Sequence, residues 1–428
     1  MEEIRNYTNE YPKWDKSMKS THKILVPDML PWHFMIIEEI MKLAGYDVEV
    51  LKNDSRAVID EGLKRVHNDT CYPCLCVVGQ FIDALKSGKY DVNRTALMVP
   101  QTGGGCRASN YVSLVRKAIK TEFPNVPVVS FNISGLEKGS SFDISLGFFI
   151  KFAYGLLYGD TIMWCYNQTK PYEVTAGAAE RTCDKAVKYV VDTIKKGGYR
   201  KYKKINKYII ELFAAVERTK EKKVKVGIVG EIYVKYSYIG NNNLEKFLLS
   251  ENCEPVVPTA VDFLLYCIIN VVNDGKLYGH SKFKAFLYNL FYKFVHRIQK
   301  NIIKIFKDNG TFEPVHDFEH LRRLADKVLN QGVKMGEGWL IPAEMAAFAE
   351  TGVPNIVCAQ PFGCLPNHIA GKGAIRNLKK LYEDENIVAV DYDPSATRVN
   401  QENRIKLMLA TAKEQSISAG EYLNSKRA

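Results

Sequence analysis

Over the first third of the chain, short apolar runs alternate with amphipathic stretches. Ile24 to Val26 reads as a strand, and Phe34 to Leu43 as an amphipathic helix closed by Gly45. Asp47 to Leu51 is the next strand, Cys76 to Lys86 a helix, and Thr95 to Val99 a strand. A Gly-rich loop follows, then a helix from Tyr111 to Lys120 and a strand from Val126 to Phe131. Continuous β-branched runs alternating with helices predict a parallel sheet covered on both faces. The rhythm stops near Gly147 and gives way to helical, basic and aromatic sequence as far as Lys223. It restarts at Val224 to Val229, with further strands at Pro255 to Pro258, Asn355 to Cys358 and Asn386 to Asp391. Leu277 to Leu329 is mainly helical and rich in aromatic residues. The expected fold is α/β: two doubly wound parallel-sheet domains facing a cleft, with a helical linker and a helical insertion. The expected boundaries are an N-terminal tail at 1–19, a first α/β domain at 20–150 and a linker at 151–223. A second α/β domain spans 224–270 and 330–415, the insertion 271–329, and a C-terminal tail 416–428.

A weak internal repeat supports two related domains. Leu97-Met98-Val99-Pro100-Gln101-Thr102-Gly103-Gly104-Gly105-Cys106 runs from a strand through a loop towards a helix. Ile356-Val357-Cys358-Ala359-Gln360-Pro361-Phe362-Gly363-Cys364 does the same, again with a Gln in the turn and a Gly-Cys pair before a helix. Upstream, Asn68-Asp69-Thr70-Cys71-Tyr72-Pro73 parallels Gly336-Glu337-Gly338-Trp339-Leu340-Ile341-Pro342, which has no cysteine. In doubly wound sheets ligands sit beyond the carboxyl ends of the strands, where both Gly-Cys loops fall.

Composition narrows the class. A chain of 428 residues implies two to three domains. Hydrophobic residues at 46% and charged residues at 25% are ordinary for a globular protein. Met1 to Lys19 is polar and lacks the apolar core of a secretory signal, and the apolar run from Phe263 to Ile269 is too short to span a bilayer. The expected location is the cytoplasm, with no membrane partner. The net charge of +11 is spread along the chain, and its one dense patch, Lys195 to Lys225, reads as a solvated helical linker, so nucleic acid is not expected as a partner.

Ten cysteines in a reducing compartment point away from disulfides and towards metal binding or catalysis for any clustered subset. Cys106 and Cys364 each fall at a strand-to-helix turn, where free N–H groups and the positive end of the helix dipole favour thiolate. Arg107 adds positive charge beside Cys106. Gly103, Gly104 and Gly105 let backbone amides approach a bulky cofactor. Cys71 stands just ahead of a helix, and Cys358 is read at the end of its strand. Cys71-Tyr72-Pro73-Cys74 has the two-residue spacing of metal and redox sites. Spacing alone leaves a ligand role and simple space-filling equally open for Cys71, Cys106, Cys358 and Cys364. Cys165, Cys183, Cys253 and Cys267 read as buried packing residues. The pattern does not match a zinc ribbon, which needs two close CxxC pairs.

The stretches around Cys71-Tyr72-Pro73, Gln101 to Tyr111 and Gln360 to His368 resemble one family. So do Gly227-Ile228-Val229-Gly230-Glu231-Ile232-Tyr233-Val234-Lys235 and Asp391-Tyr392-Asp393-Pro394. This family is the 2-hydroxyacyl-CoA (2-hydroxyglutaryl-CoA) dehydratase superfamily, in particular the C-terminal region of the large activase-related proteins of anaerobic bacteria. The resemblance runs from about Lys23 to about Leu409. It implies an iron–sulfur protein whose Cys71, Cys106, Cys358 and Cys364 hold a [4Fe–4S] cluster. A related branch carries a double-cubane [8Fe–9S] cluster, for which Cys74 and Cys267 are the supplementary candidates. It also implies a separate ATP-hydrolysing activator with its own cluster that delivers low-potential electrons, and reductive chemistry on an acyl-CoA or another small molecule. The chain lacks the ATP-binding activator domains that precede this region in the large relatives. A homodimer or heterodimer is expected.

His368 and Glu231 are the candidate catalytic residues, as proton relay and as acid or base; capping or surface roles stand beside them. His67, Asn68, Gln101 and Gln360 are candidate lining residues. Gly371-Lys372-Gly373, near a helix start, is too short to define a phosphate site. The aromatic runs Phe283 to Phe294 and Tyr202 to Phe213 read as packing stripes. The alternative functions are a non-catalytic electron-transfer or scaffold subunit and a zinc-binding structural protein.

Overall fold

The computed structural model describes residues 11–67, 69–101, 105–132 and 146–425. Strands β1 (Lys23–Val26), β2 (Asp47–Val50), β3 (Thr95–Gln101) and β4 (Val128–Asn132) form an all-parallel sheet in the order β2-β1-β3-β4. A second sheet, from β5 (Val224–Gly230), β6 (Cys253–Val256), β7 (Asn355–Pro361) and β8 (Asn386–Tyr392), has the equivalent order β6-β5-β7-β8 and is also parallel throughout. The internal repeat is thus a repeat of topology. The central strands β3 and β7 are buried almost end to end, whereas the edge strands β2 and β8 alternate buried and open positions. That is the pattern of parallel sheets covered by helices on both faces.

The described residues up to Gly155, with Tyr236–Gly240, form one compact unit, and the rest form the other. In the first unit, helix α1 (Pro31–Leu43) joins β1 to β2, and α2 (Arg56–Arg65) with α3 (Tyr72–Lys86) joins β2 to β3. Helix α4 (Tyr111–Ile119) joins β3 to β4. The short helix α2 was not foreseen, since only Val58, Ile59 and Gly62 of its ten residues are buried. It crosses α3 at glycines. A Cβ on Gly79 would stand 1.9 Å from the Val58 carbonyl oxygen, and one on Gly62 2.4 Å from that of Leu75. Only glycine permits that approach.

Helices α5 (Leu146–Thr169), α6 (Ala178–Lys195) and α7 (Tyr202–Ala214) precede the second sheet. From Leu156 on, this stretch belongs to the second unit. Asp160 of α5 accepts from the Ala260 and Val261 N–H groups at 2.7 and 2.9 Å, capping α10 (Ala260–Leu277), one of the helices between β6 and β7. On α7 the buried stripe runs through Ile205, Ile209, Ile210 and Phe213, while Tyr208 of the same run stays exposed. Two short helices, α8 (Ile232–Tyr236) and α9 (Leu244–Ser250), link β5 to β6. Helices α11 (Lys282–Asn309), α12 (Phe318–Val328) and α13 (Leu340–Glu350) complete the β6–β7 connection. Helix α14 (Ile375–Leu381) joins β7 to β8, and α15 (Arg398–Ser425) continues into the segment read as a C-terminal tail.

Three readings are corrected here. The strand expected at Pro255 to Pro258 is Cys253–Val256, because its register pairs Val224 with Cys253 and Gly227 with Val256; Pro255 is tolerated on this edge strand. Cys358 is not at the end of its strand but in the middle of β7, which runs on to Pro361 while it stays paired with β8 as far as Tyr392. The run Phe283 to Phe294 is not a buried stripe. Phe283, Phe286, Leu287 and Leu290 are exposed, while α11 packs through Tyr292, Val295, Ile298, Ile302 and Phe306.

Asp262, inside α10, is fully enclosed. It accepts from the Thr259 hydroxyl at 2.6 Å and from Gln299 Nε2 at 2.8 Å. Burial, and to a lesser extent the charges of Asp160 and Glu344, push its carboxyl up to about 8.

Two consequences follow for stability. Replacing Gly79→Ala forces α2 and α3 apart and costs the first unit at least about 2 kcal/mol, measured by denaturant unfolding. Asp262 binds its proton more tightly folded than unfolded. Its stabilising contribution is therefore fully present below the ordinary carboxylate range and is lost as pH rises through about 8. Unfolding followed between about pH 5 and pH 9 shows wild-type stability falling, with a shallower fall in Asp262→Asn.

Candidate functional site

In the first unit the cysteine chemistry gathers where β3 leaves the sheet. Cys71 occupies the N-cap of α3, with Pro73 in the first turn, where a missing N–H does no harm. Its Sγ lies 3.0 Å from the hydroxyl of Tyr111, the first residue of α4. Arg107, next to Cys106, donates to the Asp69 carbonyl oxygen at 3.2 Å and so ties the loop after β3 to the loop before α3. Cys106 stays half-open and leads through a short 3₁₀ turn into α4. Cys74 and Cys76 are fully buried in α3. Burial raises the Cys74 thiol, the neighbouring Cys71 and Cys76 raise it further, and Arg107 opposes them. Gln101 is held by structural bonds, donating to Ser109 O at 2.9 Å and accepting from the Ser130 hydroxyl at 3.2 Å. His67 is exposed beside Asp69. Asn68 and Thr102 to Gly104 lie outside the described residues.

The second unit repeats the arrangement. Gly230 ends β5 at φ 136°, and a Cβ there would come within 1.9 Å of the Ala359 carbonyl oxygen of β7. Glycine alone makes this turn, and it delivers Glu231 to the mouth of the sheet. Glu231 accepts from the Val234 N–H at 2.8 Å, and Glu337 from the Ile232 N–H at 3.0 Å. Asn367 Nδ2 reaches both Glu337 (3.5 Å) and the Cys364 sulfur (3.4 Å). Cys364 follows β7 and precedes a wide π-type turn, Asn367–Gly371, a helix form that recurs at functional sites. The half-buried His368 lies on that turn.

Electrostatics here run against the expectation of a ready thiolate at Cys364. Burial, then the carboxylates of Glu337 and Glu231, raise this thiol, and its bonds with Asn367 offset only part of that. Glu231 keeps some surface open, yet burial first and Glu337 second hold its carboxyl above the usual range. Burial raises Glu337 as well. A buried ion pair stands beside them, with Lys235 Nζ 2.9 Å from Glu344 Oε1 and both side chains 2% exposed. Three carboxylates against one ammonium favour retention of protons in this pocket. Cys267, on α10, is pushed up to about 12 by burial and by Glu337, so it shares a neighbour with Cys364. Cys358 lies deep in β7, pushed up to about 12 by burial. Gly371 packs over it, since a Cβ there would stand 3.2 Å from its sulfur. The Gln360 carboxamide lies 3.5 Å from the Cys358 sulfur. Oriented to donate to Asp391 Oδ1 at 3.2 Å and accept from Lys372 N–H at 3.3 Å, it satisfies both its ends.

Glu231 has a counterpart in the first sheet. Asp28, two residues beyond β1, is pushed up to about 6 by burial, against the attraction of Lys52. Each sheet therefore places a carboxyl raised by burial after its first strand and a cysteine after its third. Glu337, Asn367, Tyr111 and Asp28 were not singled out from the sequence. For Glu337 a signal existed, because Gly336-Glu337-Gly338 is the counterpart of the Cys71 loop in the repeat.

Among the described residues, no three His, Cys, Asp or Glu side chains converge in a metal-binding arrangement. The sulfurs of Cys71 and Cys364 have hydroxyl and amide partners close by. Such donors suit anionic sulfur, whether thiolate or cluster.

Fold and site together define an α/β protein of two all-parallel doubly wound units, with thiols and carboxyls at the carboxyl ends of their strands. No protein-family model matches the chain, and no curated protein matches it significantly. No helix among the described residues is long and apolar enough to cross a membrane.

Lys235 and Glu344 form a buried ion pair in the second unit. Removing one partner leaves the other charge buried without its hydrogen-bonded counter-ion. Glu344→Ala is expected to cost about 3–5 kcal/mol in denaturant unfolding, and adding Lys235→Met should recover most of that loss.

Proposed function

We propose that this chain is an iron–sulfur protein of the 2-hydroxyacyl-CoA dehydratase type, located in the cytoplasm. On this reading it accepts low-potential electrons from a separate ATP-dependent activator with its own cluster. It uses them for reductive chemistry, with 2-hydroxyacyl-CoA dehydration as the leading reaction. The observation that carries the reading is the equivalence of Cys106 after β3 and Cys364 after β7, each at the carboxyl end of the central strand of its sheet. Ligands of doubly wound sheets bind at that end.

Cys71, Cys106, Cys358 and Cys364 are the thiols assigned to the cluster, with Cys74 and Cys267 as supplements for a double cubane. The bound [4Fe–4S] or [8Fe–9S] group supplies one-electron transfer at low potential. The protein's own residues set its surroundings. Tyr111 and Asn367 place hydrogen-bonding groups at the sulfurs of Cys71 and Cys364. Because the thiol of Cys364 is held protonated, loading it with a metal must release a proton. Glu231 and Glu337 can hold such a proton beside Cys364. Phe362, Leu365 and Ile369 stand exposed around the Cys364 turn and offer an apolar rim to an acyl chain.

The test is anaerobic purification with metal and sulfide analysis. A brown protein with about four iron and four sulfide per chain is expected for a single cubane, and about eight and nine for the double form. Cys106→Ser and Cys364→Ser should each remove most of the iron and the charge-transfer absorption. A colourless, zinc-loaded protein sinks the reading in favour of a structural site, and full iron retention in both variants sinks the ligand set.

A further inference from the structure

Helix α11 is amphipathic on the wrong side. Its buried stripe runs through Tyr292, Val295, Ile298, Ile302 and Phe306. At 100° per residue, Phe283, Phe286 and Leu290 fall about 120–180° from the centre of that stripe, and Leu287 lies at its margin. Their exposures are 72%, 57%, 47% and 50%, and Leu277, at the end of the preceding helix, is 52% exposed. None of residues 276–291 is buried, so the tip of the α10–α11 hairpin projects from its unit. A contiguous exposed apolar patch of this kind marks an interaction surface.

The charge around the patch selects the occupant. From Gly275 to Lys307 the chain carries eight Lys and Arg residues and no Asp or Glu. The last acid before this stretch, Asp274, is already paired with Lys334. On the helix, Lys282 and Lys293 flank the apolar arc on one side and Lys284 on the other. Further along, Arg297 and Lys300 continue the outward face as a basic stripe, which ends where Lys304 pairs with Asp308 at 2.7 Å. A second copy of the chain is a poor occupant, because a two-fold interface sets the patch against itself and brings these like charges together with no acid to offset them. A projecting tip of Phe and Leu ringed by Lys is the design of a segment that dips into a lipid interface while its cations meet anionic headgroups.

We infer that the tip of the α10–α11 hairpin docks on an anionic lipid surface, with Phe283, Phe286, Leu287 and Leu290 entering the headgroup–acyl boundary. The expectation of no membrane partner rested on the lack of a spanning segment, and surface attachment needs none.

The full chain is tested by co-sedimentation with phosphatidylcholine vesicles containing about a third phosphatidylglycerol, and with phosphatidylcholine alone. Binding to the anionic vesicles, weakened by salt, is expected, with little on the neutral ones. Phe283→Asp combined with Leu287→Asp changes only exposed positions and should weaken binding about 100-fold, with an unchanged thermal melt. A Phe283→Trp variant should add tryptophan emission that brominated acyl chains quench. No binding to anionic vesicles at low salt overturns the inference. So does undiminished binding of the double variant, which would place the contact on another basic surface. So too does a wild-type dimer that the double variant converts to monomer, which would assign the face to a second copy.

Discussion

A parallel strand buried on both faces leaves its polar chemistry one way out. β3 and β7 are flanked by strands on both sides and covered by helices, so polar groups reach the surface only where each strand ends. The rest of the chemistry follows from that constraint. Cys106 and Cys364 stand after these strands, and Asp28 and Glu231 after β1 and β5. Each unit thus brings a thiol and a carboxyl raised by burial to the same end of its sheet.

The second unit charges its pocket heavily for so dry a place. Glu231, Glu337 and Glu344 share a single ammonium, and burial outweighs the hydrogen bonds that would favour ionisation. A pocket of this kind stores protons next to a thiol that also keeps its own. The first unit is milder: Asp28 is raised less, and the half-open Cys106 has Arg107 beside it.

Helix α11 departs from the usual division between core and surface. Its second half packs on α10 and α7, while its first half shows Phe and Leu to the outside. Exposed apolar side chains contribute nothing to folding, so their place on the outward face, ringed by lysine, points to a contact beyond the chain itself.

The sequence by itself determined the architecture. Alternating β-branched runs and amphipathic helices specify two parallel α/β units, and all eight strands fall within about three residues of where those runs lie. It also determined which cysteines follow a strand, because Gly-Cys before a helix is a local signal. Only the tertiary structure decided depth and direction. Cys358 read as a strand end, but its pairing with β8 carries β7 three residues further and buries the thiol. Glu337 and Tyr111 were brought to Cys364 and Cys71 only when distant segments folded together. The outward aromatic face of α11 was illegible for a related reason. Helical periodicity reveals an apolar stripe, but with two stripes on one helix, packing against neighbours alone decides which of them faces the core.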